Sequence, residues 1–346
     1  MNLTAHDVRA DDGTRLRVWE DAPESGEDAG AAGDSPASDD AGAADSSAAP
    51  AEAVLFVHGA ITHSRALFAP PVEGRESPSG DSRLDASYSW LRATADAGRT
   101  AYALDVRGYG DSEFPPAMAD PPEANDPPVR AGDAADDVAA AFDFATARHG
   151  RVHLVGVSWG TMTTGRFLAD RDSGANATDV ASYVQCAPVY DPPYDFSELV
   201  SAFGLDADLG AYYVEDRETV AERKDADENL ALFEGVWRAM VESGQGAAAD
   251  REDAYVAQTG ALADVRDCCA GSPPYDPAAI DAPTLVVRGT DDDTARRSDA
   301  LTLYDELGAA DDRKEYAELA GADHYAMHGD RRRALYDLVT AFHDRN

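Results

Sequence analysis

The sequence predicts an α/β protein: a mostly parallel sheet covered by helices on both faces, with a helical cap inserted late in the chain. Short β-branched apolar runs alternate with segments of helical apolar spacing, the pattern of strand and helix units whose strands are buried on both sides. Several of those runs end in glycine-containing turns, where a parallel sheet presents its carboxyl edge. The 346 residues, 44% of them hydrophobic, suffice for one large core and an appended lobe.

The elements follow in order. "TAHDVRADDGTRLRVWEDA" holds two alternating segments around Asp11, Asp12 and Gly13 and reads as a β-hairpin. Residues 24–52 contain no aromatic residue, Leu, Ile or Val, so they cannot bury enough apolar area to offset their ordering entropy; a disordered acidic insertion is expected. "AVLFVHG" and "TAYALDVRGYGDS" are strands that end in turns, with the helix "SYSWLRATADAG" between them. "PPVRAGDAADDVAAAFDFATARHG" is an amphipathic helix leading into the strand "RVHLVGV". "ASYVQCAPV", "APTLVVRGT" and "DRKEYAEL" supply further strands, and "RRRALYDLVTAFHD" closes the chain as a helix. Within residues 191–278, "FSELVSAFGL", "NLALFEGVWRAMVES" and "REDAYVAQTGALADV" carry helical spacing. That stretch is expected to form a cap with Tyr212, Phe233 and Trp237 mainly in its own core, and residues 1–190 and 279–346 are expected to form the sheet domain.

The formal charge is −37, from 66 acidic and 29 basic residues, of which only Lys224 and Lys314 are lysines. Such a surface repels nucleic acid and anionic membranes and leaves a small molecule as the expected partner. No window approaches the ~18 apolar residues of a membrane span and no basic start precedes an early apolar run, so a cytoplasmic location is expected. Cys186, Cys268 and Cys269 have neither a CxxC pair nor metal-ligand spacing with histidine and read as reduced structural residues. No cofactor is called for.

The chemistry centres on Gly156-Val157-Ser158-Trp159-Gly160, a G-x-S-x-G pattern at a strand end where a helix begins. Glycines two before and two after the serine let strand and helix approach while the serine takes a strained conformation that lifts its hydroxyl clear. A serine needs a base. Among eight histidines, His324 is best placed, in a glycine-containing loop after a late strand; His328 is the alternative. The orienting carboxylate should stand at another strand end between serine and histidine, where Asp291, Asp292 and Asp293 follow residues 284–288, and Asp191 offers a second position.

The His-Gly strand end, "LDVRGYGDS", the serine elbow, a late G-x-x-D and a late G-x-x-H, in that order, resemble the α/β-hydrolase superfamily over nearly all of the sheet domain. The resemblance implies an α/β-hydrolase fold. It also implies Asp292 as the acid, because that residue stands three after Gly289, and an oxyanion hole at the backbone N–H groups of Trp159 and Ala60. "HGAITH" departs from the His-Gly-Gly-Pro loop of prolyl aminopeptidase-like members, and a serine at the elbow departs from the aspartate of epoxide hydrolases and haloalkane dehalogenases. Ester hydrolysis through Ser158, His324 and Asp292 is therefore the expected activity. Carbon–carbon bond, lactone or thioester hydrolysis and acyl transfer remain open on the same residues, with a non-catalytic binding protein as the rival of another class. The acidic, lysine-poor balance resembles that of salt-in haloarchaeal proteins.

Overall fold

A computed structural model describes residues 3–24, 51–74, 84–170, 180–201, 203–205, 208–224 and 226–346. The expected acidic insertion lies outside the described residues except at its ends, and its last residue, Glu52, opens a strand. The first strands, β1 (Thr4–Arg9) and β2 (Arg15–Asp21), form the expected hairpin, with Val8 opposite Leu16 and Gly13 in the turn at φ +90°. There follow β3 (Glu52–Val57), α1 (Ser64–Phe68), α2 (Trp90–Asp96), β4 (Thr100–Asp105), α3 (Ala131–Thr146), β5 (Arg151–Val157), α4 (Trp159–Asp170) and β6 (Tyr183–Cys186). After a long excursion come β9 (Thr284–Gly289), α10 (Arg297–Glu306), β10 (Lys314–Leu319) and α11 (Arg332–Arg345). The excursion comprises α5 (Phe196–Ser201), β7 (Tyr212–Asp216), α6 (Arg217–Arg223), α7 (Leu230–Val241), α8 (Gly244–Ala248), β8 (Ala254–Gln258) and α9 (Gly260–Cys269).

The eight-stranded sheet runs β1-β2-β4-β3-β5-β6-β9-β10. Only the β1–β2 and β2–β4 pairings are antiparallel. The two-residue period of a strand divides its side chains between two cores. Leu55 and Val57 of β3 face Val138, Phe142 and Met162 on one side, whereas Val54 and Phe56 face Phe68, Trp90 and Leu335 on the other. Phe56 lies 5.2 Å, centroid to centroid, from both Phe68 and Trp90, so truncating it to alanine would cost about 3–5 kcal/mol.

The excursion differs from the helical expectation by a two-stranded antiparallel sheet, in which Tyr213 pairs with Ala257 and Tyr212 with Gln258. All five residues of β8 are buried, so the segment has no in–out alternation to distinguish it from a buried helix. Phe233 and Trp237, with rings stacked at 6.1 Å, form a separate hydrophobic cluster with Val220, Met240 and Tyr255, while Tyr212 is only partly buried. At the far end of the excursion, α9 packs Leu262 and Val265 into the same cluster as α3 and the sheet.

Candidate active site

The site lies at the carboxyl edge of the parallel strands, where β3, β5, β9 and β10 end in loops. Ser158 sits between β5 and α4 at φ +54°, a left-handed conformation costly for any residue with a Cβ. The flanking glycines account for how the turn closes. A Cβ on Gly156 would stand 2.5 Å from the Gly160 carbonyl oxygen, and one on Gly160 would stand 2.3 Å from that of Val57. Any other residue at either position would push the strand, the helix and the β3 loop apart.

The structure brings three of the predicted residues together. His324 Nε2 is 3.0 Å from Ser158 Oγ, and His324 Nδ1 is 2.9 Å from Asp292 Oδ2. An ionised carboxylate only accepts, so Nδ1 carries the proton and donates it to Asp292, which leaves Nε2 to accept from the serine hydroxyl. Burial would raise the Asp292 carboxyl, but the charge and hydrogen bond of His324 and the N–H groups of Ala295 and Thr294, at 2.7 and 2.9 Å from Oδ1, outweigh it and hold the pKa below the usual value. Asp291 and Asp293, its neighbours, are exposed.

The alternatives stand elsewhere. Asp191 is exposed, and its backbone N–H is held by Asp299. His328 is buried and bonded to the Leu67 carbonyl at 2.8 Å, with burial pushing it down to about 4. His58 accepts from the Val106 N–H and donates to the Gly59 carbonyl, and burial lowers it to about 4 as well. His63 is buried and donates to the Ala239 carbonyl, which ties the loop after β3 to α7.

Gly59 packs against the serine: a Cβ on it would lie 3.0 Å from Ser158 Cβ. The adjoining Ala60 follows directly on this contact with Ser158. Trp159 is the first residue of α4, so its N–H has no acceptor within the helix. The Trp159 indole is anchored by a 2.7 Å bond to Asp264, which also binds Arg130 and the Ala131 N–H. Asp264 escaped the sequence reading because one carboxylate among 66 acidic residues carries no signal of its own.

Gln245 was also missed. Fully buried on α8, it donates to the carbonyls of Ile61 at 3.0 Å and Val256 at 2.9 Å and accepts from the Gly110 N–H at 3.0 Å. It thus joins the turn after β3, the turn after β4 and strand β8. Among the described residues no group of three or more His, Cys, Asp and Glu side chains is arranged to hold a metal ion, and no helix is long and apolar enough to cross a membrane.

A serine elbow on a mostly parallel sheet of this strand order, covered by helices, defines the alpha/beta hydrolase fold. The chain belongs to the Alpha/beta hydrolase family, whose model matches residues 54–338. An esterase from Exiguobacterium antarcticum superposes with a TM-score of 0.60 at 14% identity, covering 99% of this chain and 100% of its own. An E-2-(acetamidomethylene)succinate hydrolase gives a TM-score of 0.59 at 18% identity, with 99% and 100% covered. The thioesterase domain from the curacin biosynthetic pathway gives 0.57 at 13% identity, with 98% and 99% covered. At these identities the likeness is one of fold. A search among curated proteins finds no match.

Proposed function

We propose that this protein is a serine hydrolase that cleaves a carboxylic ester through an acyl-enzyme. The observation that carries the reading is the continuous hydrogen-bonded line from Ser158 Oγ through His324 to Asp292, at 3.0 and 2.9 Å. Ser158 Oγ attacks the ester carbonyl as His324 Nε2 takes its proton, and the carbonyl π electrons move onto oxygen. The N–H groups of Trp159 and Ala60 receive that oxyanion. On collapse, the alcohol leaves with the proton from His324, and Ser158 remains acylated. Water deprotonated by His324 then attacks the acyl carbon and releases the acid, restoring the serine. Asp292 stays ionised and holds the imidazole in the required tautomer.

Residues 191–278 serve in this reading as the cap that covers the site and selects the substrate, a small uncharged or weakly charged acyl compound. The charge of −37 with two lysines supports a working environment of molar salt, as in the cytoplasm of a halophilic archaeon. A fluorophosphonate probe in molar KCl tests the chemistry. One equivalent should attach to Ser158 and abolish ester hydrolysis, whereas a folded protein that stays unlabelled would refute the reading.

A further inference from the structure

We propose that Arg288 is a positioning residue for ester hydrolysis: its buried guanidinium clamps the turn 292–295 and thereby holds the Asp292 carboxylate on the His324 imidazole. The proposal rests on the reading of Ser158, His324 and Asp292 as nucleophile, base and orienting acid. Arg288 stands one residue before the end of β9, opposite Glu318 of β10 in the parallel register, and is 5% exposed. A buried arginine in an apolar strand is costly unless its N–H groups find acceptors. They find three. Nη1 donates to Glu318 Oε1 at 2.9 Å, Nη2 to the Asp292 carbonyl at 3.0 Å and Nε to the Ala295 carbonyl at 2.6 Å.

Two of those acceptors are the ends of the turn that presents the orienting acid. The Asp292 side chain closes the same turn from within, Oδ1 accepting from the N–H groups of Thr294 and Ala295 at 2.9 and 2.7 Å. Ala295, fully buried, has both backbone polar groups committed, its N–H to Asp292 and its carbonyl to Arg288. One planar fork thus fixes the carbonyls of residues 292 and 295 relative to β9, and the carboxylate cannot swing without breaking charge-assisted bonds. With Oδ1 so engaged, Oδ2 meets His324 Nδ1 at 2.9 Å.

The guanidinium charge is answered by Glu318, so the influence of Arg288 on Asp292 runs through the backbone of the turn rather than through its field. Glu318 also accepts from Arg297 at 3.2 Å and from the Tyr316 hydroxyl at 2.9 Å. Those partners remain when Arg288 is replaced, which lets the fold survive the substitution.

Arg288→Met, which keeps the bulk of the stem, and Arg288→Lys, which keeps the charge without the planar fork, test the clamp in molar KCl, with thermal melts verifying the fold. Each should lower kcat for a nitrophenyl ester on the order of 10²-fold and change KM less than threefold, since a displaced orienting group costs rate rather than binding. In an Asp292→Asn background the same substitutions should cost less than about threefold, because a residue that acts through Asp292 has nothing left to position. A proton spectrum reads the clamp without turnover: the downfield resonance of the His324 Nδ1–H bonded to Asp292 should weaken or vanish in both variants. If Arg288→Met does not fold, Arg288→Lys decides, and failure of both to fold would make Arg288 a structural residue. Losses that multiply in the double variant, an unchanged kcat in either single variant, or a persistent downfield proton would overturn the positioning role. Fluorophosphonate labelling reports on the nucleophile separately. Labelled wild type with multiplying losses refutes the clamp alone, and unlabelled wild type whose downfield proton depends on Arg288 refutes the nucleophile alone.

Discussion

Gln245 Nε2 donates to the Ile61 carbonyl at 3.0 Å, and Ile61 holds a backbone φ of +74° that β-branched residues rarely adopt. The bond links α8 to the turn that carries Ala60. The strain is sustained because Gln245 is bonded at three points and cannot shift without losing the other two.

Gln245→Leu should release that turn. Three buried backbone groups would lose their partner, a loss of roughly 3 kcal/mol measured by urea denaturation in molar KCl. If Gln245 positions the Ala60 N–H for the transition state, kcat should fall on the order of 10²-fold while KM changes less than threefold. Equal losses in both parameters, or loss of stability alone, would reduce Gln245 to a structural residue.

Ser158→Ala should remove nearly all ester hydrolysis, a loss on the order of 10⁶ in kcat by comparison with other serine triads. The fold should persist, since alanine deletes only a hydroxyl at a position already held at positive φ. Retention of a tenth of the activity would exclude Ser158 as the nucleophile.

Asp292→Asn should lower kcat by about 10⁴, because an amide can stabilise the wrong imidazole tautomer. It should also change the acid limb of stability. The folded pKa of Asp292 is depressed, so its contribution is complete above the unfolded value of about 4 and is lost as the pH falls through the lower folded value. Urea midpoints in molar KCl should therefore fall less steeply below about pH 4 in the variant than in the wild type. Parallel curves would mean that Asp292 gains nothing from its partners.

Salt should govern compactness. At 1 M monovalent salt the screening length is about 3 Å, against about 10 Å at 0.1 M, so repulsion among the carboxylates of a chain at −37 acts mainly in dilute buffer. Circular dichroism and activity should both decline on dialysis to 0.1 M KCl and recover in part on restoring molar salt. An unchanged melting temperature at 0.1 M would remove the argument for a salt-filled cytoplasm.

The sequence by itself determined the sheet and the place of the serine elbow in it. Apolar runs, several of them ending in glycine turns, marked the strands of the eight-stranded sheet, because burial on both faces requires continuous apolar strands. The elbow was legible for a local reason: Gly156 and Gly160 lie within two residues of Ser158, and the close approaches they permit involve the adjoining strand, helix and loop. His324 was legible from its strand-end loop, but Asp292 only through the spacing of a family pattern, since composition cannot rank three adjacent acids. Tertiary structure alone decided what lies around them. Strand β8 is buried throughout and so has no periodicity to read, and its pairing with β7 joins segments nearly forty residues apart. Gln245 draws its partners from residues 61, 110 and 256, and Trp159 finds Asp264 across the helical layer. A polar side chain has no period and no neighbour in sequence that announces its partner. That Gln245 ends bonded at three points follows only once the chain has closed around it.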